Sequence, residues 1–348
     1  SPLVDLIGTQ RRWTVAMQGL IAIGLLLTAW YIPTGNFLLG TLACFWILAI
    51  ASATHDIAAD GFYMASISER DQAWFVGIRS SFYRLSMIVG SGVLVFLVGM
   101  LNTSWDGESY GLGLMEFNLP IEKAWHYVFI GLSAFFALVA VYHQFMLPRP
   151  AVELKKGLRS IGDLPREFAL TFGTFFQKQG IVLSLAYLLI YRFSEAQLAK
   201  MKAPFLLDAL EDGGLGLTNQ QLGILDGTIG ILLLTIGGIV GGIIVSRDGL
   251  RRWIFPMALA INLPNAAYAY LAWAQPESMW QVGAAIAVEQ FGYGFGFAGY
   301  MLYMLYLARG EHQTAHYAIC TGFMALGYMI PGRFSGALQE KVGYENFF

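Results

Sequence analysis

His55, Asp56 and Asp60 stand in "ASATHDIAADGF", residues 51–62, directly after the apolar run "FLLGTLACFWILAI". Ionisable side chains are costly in so apolar a setting and are kept where they pair, bind or carry charge. Aspartates four residues apart share one helix face, so Asp56 and Asp60 form an acidic stripe, with His55 about 100° around the helix from Asp56. The next apolar stretch holds Arg79 and Arg84, at matching distances from the short connection "SERDQ". In an antiparallel hairpin this brings Asp60 level with Arg79 and Asp56 level with Arg84. Two readings stay open. The pairs clamp the hairpin, or a carboxylate or Arg84 faces a cavity, where an Asp gains a proton once its Arg engages an anion.

A second polar stretch, "YRFSEAQLAKMKAP", places Arg192, Glu195, Ala199 and Lys202 on one helical face, with Pro204 beyond to bend it. Arg192 and Glu195 fall at mid-span, whereas Lys200 and Lys202 approach the outer surface and are placed to snorkel. Glu195 is either a proton carrier or half of a local pair with Arg192. In "AVEQFGYGFGFAGY", Glu289 and Gln290 have no local cation, and Glu289 is expected to be protonated and to donate a hydrogen bond. Arg333, after Pro331, is a further candidate for holding an anionic group. The candidates for proton coupling are thus Asp56, Asp60, Glu195 and Glu289. Those for solute binding are Arg84, Arg192, Gln290, Arg333 and His55, with Arg79 and Arg84 as ion-pair partners.

The elements that must position these groups follow from composition. Of 348 residues 56% are hydrophobic and 13% charged, against about 25% charged in soluble domains, and the mean hydropathy is +0.56. Stretches of about 20 apolar residues, each long enough to cross a bilayer as a helix, recur throughout. They lack the alternation of a membrane barrel, so the chain reads as an all-α membrane protein. Nine spans are expected, at 13–32, 37–66, 74–101, 124–147, 181–208, 219–245, 253–274, 279–308 and 314–338. Alternate connections hold thirteen Lys and Arg residues, among them Arg11, Arg12, Arg70, Arg251, Arg252 and Arg309, while the others hold only Lys123 and Lys341. The basic set marks the cytoplasmic side.

Cys44 and Cys320 fall inside spans and read as buried thiols. His126, His143, His312 and His316 are scattered near span ends without metal-ligand spacing. Gly294, Gly296 and Gly299 match GxGxxG but follow no strand, so they read as helix-packing positions, like Gly237, Gly238, Gly241 and Gly242. Trp46, Tyr83 and Tyr300 are aromatics that either stack on a sugar or pack. Asn262, Pro264 and Asn265 suggest an irregular helix. No nucleophile constellation, cofactor motif or nucleic-acid signature appears, which disfavours a membrane-embedded enzyme.

"DLIGTQRRW" and "RDGLRRW" each set an Asp ahead of Arg-Arg-Trp, with Arg11 and Arg251 240 positions apart. "SERDQA" and "RGEHQTA" recur at nearly that offset. The chain therefore reads as two related halves, 1–147 and 181–348, joined by a basic cytoplasmic linker, 148–180. Extending the repeat adds two helices before the first span and one after the last. That gives six plus six helices, of which this would be a nine-helix fragment unable to transport alone. Two six-helix halves resemble the major facilitator fold, whose solute site lies near the bilayer midplane between the halves.

Together, "PLVDLIGTQRRW", "SATHDIAADGF", "YRLSMIVGSG", "LGILDGTIGILLLTIGGIVGGII", "NAAYAYLAW" and "AVEQFGYGFGFAGY" resemble the AmpG-type muropeptide permeases of that superfamily, relatives of acetyl-coenzyme A transporters. The resemblance covers nearly the whole chain. It implies a proton-driven importer of anhydro-muropeptides in a bacterial inner membrane, working by alternating access in peptidoglycan recycling, with protons, a sugar-peptide solute and the lipid bilayer as partners and no cofactor. This sequence departs from the best-known members at His55, where they carry Gln, and at Tyr63 and Ala65, where they carry a basic and an acidic residue. The alternatives are a permease for another oligosaccharide, a peptide or a coenzyme A ester, and a membrane sensor or scaffold that does not transport.

Overall fold

The computed structural model describes Val4 and residues 8–102, 119–149 and 164–348. Among the described residues the regular structure is helical, without strands. The chain forms α1 (Gln10–Tyr31), α2 (Phe37–Ser66) and α3 (Glu69–Ile88), which passes through a π-helical turn, Val89–Val93, into α4 (Leu94–Leu101). Then follow α5 (Ile121–Met146), α6 (Leu164–Phe176), α7 (Ile181–Ile190), α8 (Phe193–Leu207) and α9 (Asn219–Ile224). A second π-helical turn, Leu225–Gly230, leads into α10 (Ile231–Asp248). A 3₁₀ turn, Leu263–Asn265, joins α11 (Leu250–Asn262) to α12 (Ala266–Ala274), and α13 (Met279–Ala308) and α14 (Gln313–Phe347) complete the fold. Gly343, at φ 73°, interrupts α14 near its end.

Among the described residues, five stretches are long and apolar enough to cross a membrane by length and composition: Gln10–Tyr31, Phe37–Ser66, Ile121–Met146, Ile181–Leu207 and Gln220–Asp248. Of the expected linker 148–180, residues 150–163 lie outside the described residues, and α6 occupies most of the remainder. Asp106, Glu108 and Glu116, in the connection after the third expected span, also lie outside them.

Local chemistry accounts for several helix starts. Thr9 caps α1 by accepting from the Arg12 backbone N–H at 3.2 Å. Thr218 and Gln221 form a reciprocal capping box at α9. Gly8 and Gly249, each just ahead of a repeated Arg-Arg-Trp, both take a left-handed φ, 82° and 83°. At Asp248 the carboxylate then accepts from Arg247 Nε and from the Trp253 indole, both at 3.0 Å.

The chain divides into two compact units, Ser1–Ser66 with Leu85–Phe168, and Ile67–Arg84 with Ala169–Phe348. In the first, α1 packs on α2 and α5, with Ile21, Leu25 and Ala51 buried together. Ser133 of α5 reaches the Ala22 carbonyl at 2.8 Å. Val98, Ala124 and Val128 form a smaller cluster where α4 meets α5. In the second unit α10 and α11 both pack on α13, and Phe205, Leu206, Tyr268, Leu271 and Ile286 centre the core. Cys44 and Cys320 are both buried and free. On the basic side of the second unit, the Lys178 ammonium donates to the carbonyls of Leu307 and Arg309, each at 2.6 Å. Partial burial pushes its pKa below the usual lysine range.

The glycines of the GxGxxG stretch pack helices, as their spacing suggests. A Cβ at Gly294 would stand 2.0 Å from the Leu234 carbonyl oxygen, at Gly296 2.6 Å from that of Met257, and at Gly299 2.6 Å from the Met257 sulfur. Gly237 meets the Phe291 carbonyl, and a Cβ on Gly77 of α3 would stand 2.0 Å from the Gly238 carbonyl oxygen.

Candidate functional site

Two breaks in helices shape a polar centre in the second unit. Between α7 and α8 the chain leaves the helical path at Arg192, with φ −110° and ψ 20°. The Tyr191 carbonyl beside this break accepts from Asn262 Nδ2 at 3.2 Å. Asn262 lies beside the 3₁₀ turn that breaks the neighbouring helix, and Ser194 donates to its Oδ1. Asn265 Nδ2 in turn donates to Ser194 Oγ at 3.3 Å. The irregular helix expected from Asn262, Pro264 and Asn265 thus has its Asn262 amide and the Asn265 Nδ2 satisfied inside the bundle, while the buried Asn265 Oδ1 has no hydrogen-bond partner among the described residues.

Further along α8, Lys202 stands between two carboxylates. Its Nζ lies 2.6 Å from Asp226 Oδ1 and 3.1 Å from Glu289 Oε2. The Tyr268 hydroxyl donates to the same Glu289 oxygen at 3.4 Å. Glu289 is 2% exposed and Lys202 9%, and the buried Glu195 adds to the electrostatic field at Lys202. Asp226 comes from the π-helical turn, whose fifth-residue hydrogen bonding shifts the helix phase; such turns recur at functional sites. Gln290 is half-buried beside this turn, with its Cγ 3.3 Å from where a Cβ on Gly230 would stand.

Two expectations are corrected here. Glu289 has a cation, contributed from 87 positions earlier in the chain, so it is not the isolated acid its own helix suggests. Lys202 is buried and paired and does not snorkel, whereas Lys200 is exposed. Asp226 was not singled out by sequence. The signal available was an Asp inside the apolar run "LGILDGTIGILLL".

Arg192 sits in an aromatic cage. Its guanidinium carbon lies 5.3 Å from the ring centre of Tyr293 and 4.9 Å from those of Phe297 and Tyr328. One guanidinium nitrogen donates to the Tyr293 hydroxyl at 2.6 Å. The side chain is buried, its Nε has no hydrogen-bond partner, and no carboxylate pairs with it among the described residues. Rings contribute roughly 0.5–2 kcal/mol each to such a cation, and an anion would satisfy the fork more fully. Tyr300 belongs to the packing. It is fully buried, stacks on Tyr191 at 4.9 Å and donates to the Leu188 carbonyl at 2.6 Å.

The first unit holds the other candidates. Asp56 is exposed, with 76% of its side chain accessible, and its Oδ1 lies 3.7 Å from His55 Nδ1. Asp60 is half-buried. The expected pairs of Asp60 with Arg79 and Asp56 with Arg84 each join residues assigned to different units. Arg79 is half-buried in α3, and the Arg84 side chain lies outside what is described. Arg333 is exposed on α14, and Trp46 is exposed on α2.

Comparison with known proteins bears on this geometry. The model of the Major Facilitator Superfamily matches residues 1–332. The chain belongs to the Major Facilitator Superfamily. Among its relatives, the anhydromuropeptide permease of Escherichia coli strain K12 is 22% identical over 355 residues, covering 100% of this chain and 65% of the permease. The transporter named AmpG 4 from Rickettsia conorii is 23% identical over 360 residues, covering 100% of this chain and 79% of that protein. AmpG 3 of Rickettsia prowazekii is 21% identical over 353 residues, covering 98% and 75%. The chain therefore spans just under two thirds of the E. coli permease's length. As a major facilitator it is a multi-pass membrane protein and a transporter rather than an enzyme, with a small-molecule solute as its partner.

Proposed function

We propose that this major facilitator is a proton-coupled permease of a bacterial inner membrane that imports an anionic sugar-peptide, anhydro-muropeptide in the first instance, by alternating access. In this reading the halves 1–147 and 181–348, joined by 148–180, together contribute nine spans. The observation that carries it is the grouping of the buried Lys202 and Glu289 with the partly exposed Asp226. One cation against two carboxylates leaves one negative charge. An uncompensated charge in so apolar an interior costs several kcal/mol, and one bound proton balances the count. A solute that perturbs the lysine's hold on either carboxylate changes how tightly that proton is held, which is the linkage a symporter needs.

Arg192 supports an anionic solute. It is a buried guanidinium with aromatic walls and an unsatisfied N–H, suited to a carboxylate, while Tyr293, Phe297 and Tyr328 offer flat faces to sugar or apolar groups. The names of the E. coli and Rickettsia relatives favour muropeptide as that solute.

The test is uptake of labelled anhydro-muropeptide by cells that lack their own permease and express this chain in the twelve-helix form that the repeat implies, with and without an uncoupler. Uptake abolished by the uncoupler and by Glu289→Gln, and reduced at least tenfold by Arg192→Lys, is the expected result. Absence of uptake by well-inserted protein would exclude this cargo and turn the search to other anionic oligosaccharides, peptides and coenzyme A esters. Uptake that ignores the uncoupler would exclude proton coupling.

A further inference from the structure

In the first unit three polar side chains from three helices meet: Gln18 of α1, His55 of α2 and His143 of α5. Gln18 is 4% exposed. Its Nε2 lies 3.1 Å from His55 Nε2 and 2.9 Å from His143 Nδ1, and its Oε1 lies 3.0 Å from that same Nδ1. The amide thus touches both rings, through atoms of opposite hydrogen-bonding character.

A primary amide has two N–H donors and one carbonyl oxygen. A neutral imidazole accepts at one nitrogen and donates at the other, whereas an imidazolium only donates. With Nε2 toward His55, that ring must accept from the amide and is neutral, carrying its own proton on Nδ1, the nitrogen facing Asp56. Oε1 is then free to accept from His143 Nδ1–H. If His55 is charged instead, its Nε2–H needs the oxygen. The amide must turn over, and His143 is then met by N–H and must be neutral. The oxygen can accept two hydrogen bonds, but in either orientation the amide nitrogen faces a ring nitrogen, at 3.1 Å from His55 Nε2 or, turned over, at the 3.0 Å position beside His143 Nδ1. Two imidazolium rings would therefore set a donor against a donor, and an unsatisfied buried donor costs about 1–3 kcal/mol.

We infer that His55, Gln18 and His143 form a binding site for one proton, held on either histidine but not on both, with the Gln18 amide turning over as occupancy changes. The neighbours are consistent with a single charge. On α2, Asp56 and Asp60 are the acidic groups and Tyr63 a neutral one. On α1, Arg11 is committed to the Gln144 and Leu147 carbonyls beside His143, and Arg12 is exposed. On α5, Tyr142 lies ring to ring with His143 at 5.5 Å. Two charged rings would repel across one amide. Gln18 lies about 12 Å along α1 from its basic end at 1.5 Å per residue, and His143 is three residues from the end of α5. The site therefore lies toward the basic side of the first unit. It goes beyond the transport reading, because a second proton site, separate from Lys202, Asp226 and Glu289, does not depend on which solute is carried.

The experiment is ¹⁵N NMR of the whole chain in lipid nanodiscs, with histidine and glutamine side chains labelled. Signals are assigned through His55→Gln and His143→Gln and followed from about pH 8 to pH 5, where histidine ordinarily titrates. In the wild type, one imidazolium shared between His55 and His143 is expected, with the Gln18 amide signals moving at the same midpoint. Gln18→Glu offers two accepting oxygens, and there both rings should become charged over that range. Removing either histidine should move the other's midpoint by about one pH unit or more, the spread seen among histidines in folded proteins. Independent titration of the two rings, or amide signals that stay still while a ring titrates, would overturn the proposal, as would two neutral rings in both forms. The amide readout needs only the wild type, so poor folding of Gln18→Glu leaves the test intact. No transport is measured, so this result is separable from the failure of the muropeptide reading.

Discussion

In the second unit helices meet backbone to backbone. A Cβ on Gly237 would lie 2.2 Å from the Phe291 carbonyl oxygen, on Gly292 2.1 Å from that of Ala260, and on Gly294 2.0 Å from that of Leu234. In the first unit the close glycines meet the ends of side chains, Gly24 against Leu48 and Gly40 against Tyr31, while Gly90, Gly99 and Gly131 face open space. The polar groups differ in parallel. The second unit encloses Lys202, Glu195 and Glu289, whereas the first leaves Asp56 exposed and buries a neutral amide between two imidazoles. Close backbone contact and enclosed charge occur together, because only a tightly packed interior excludes the water that would otherwise solvate the charges.

The largest effect expected is at Lys202. Lys202→Met strands the buried Glu289 and the partly exposed Asp226 and should destabilise the protein by about 3 kcal/mol, the lower end for a broken buried pair, read as a lowered thermal midpoint in detergent. Adding Asp226→Asn and Glu289→Gln should recover much of that loss. A single variant with wild-type stability would show that the cluster is solvated, like Asp56. Next comes Gly294→Ala, where the added methyl meets an immobile carbonyl and overpacking costs about 1–3 kcal/mol. An unchanged midpoint would mean that α10 and α13 stand further apart than described. Asn262→Ala leaves the Tyr191 carbonyl without this donor and should cost roughly 1–2 kcal/mol, seen as loss of amide-exchange protection at the α7–α8 break. The smallest effect has the opposite sign. Gly131→Ala, exposed in α5, should stabilise by roughly 0.5–1 kcal/mol through helix propensity alone, and a destabilised variant would reveal a contact the first unit does not show.

Much of this was legible in the chain. Apolar stretches mark where helices run, and the glycine pattern around Gly294 reads as packing. The acids inside spans were read as sites, and Glu195 and Glu289 do lie buried in the second unit. The reading failed where a partner came from another helix. Lys202 was assigned to the surface because its own helix ends a few residues later, yet Glu289 and Asp226 hold it inside. Gln18 passed without notice because one glutamine in an apolar helix has no local pattern.

The sequence by itself determined that this chain is a helical, membrane-spanning protein. Hydropathy and capping depend on neighbours within one or two turns, which the chain states directly. Only the tertiary structure decided which polar groups meet. That depends on how each helix is rotated about its axis, and the break at Arg192 and the π-helical turn at Asp226 reset that rotation. Whether a buried carboxylate is balanced or an amide touches two histidines is therefore a property of helices brought together from distant parts of the chain.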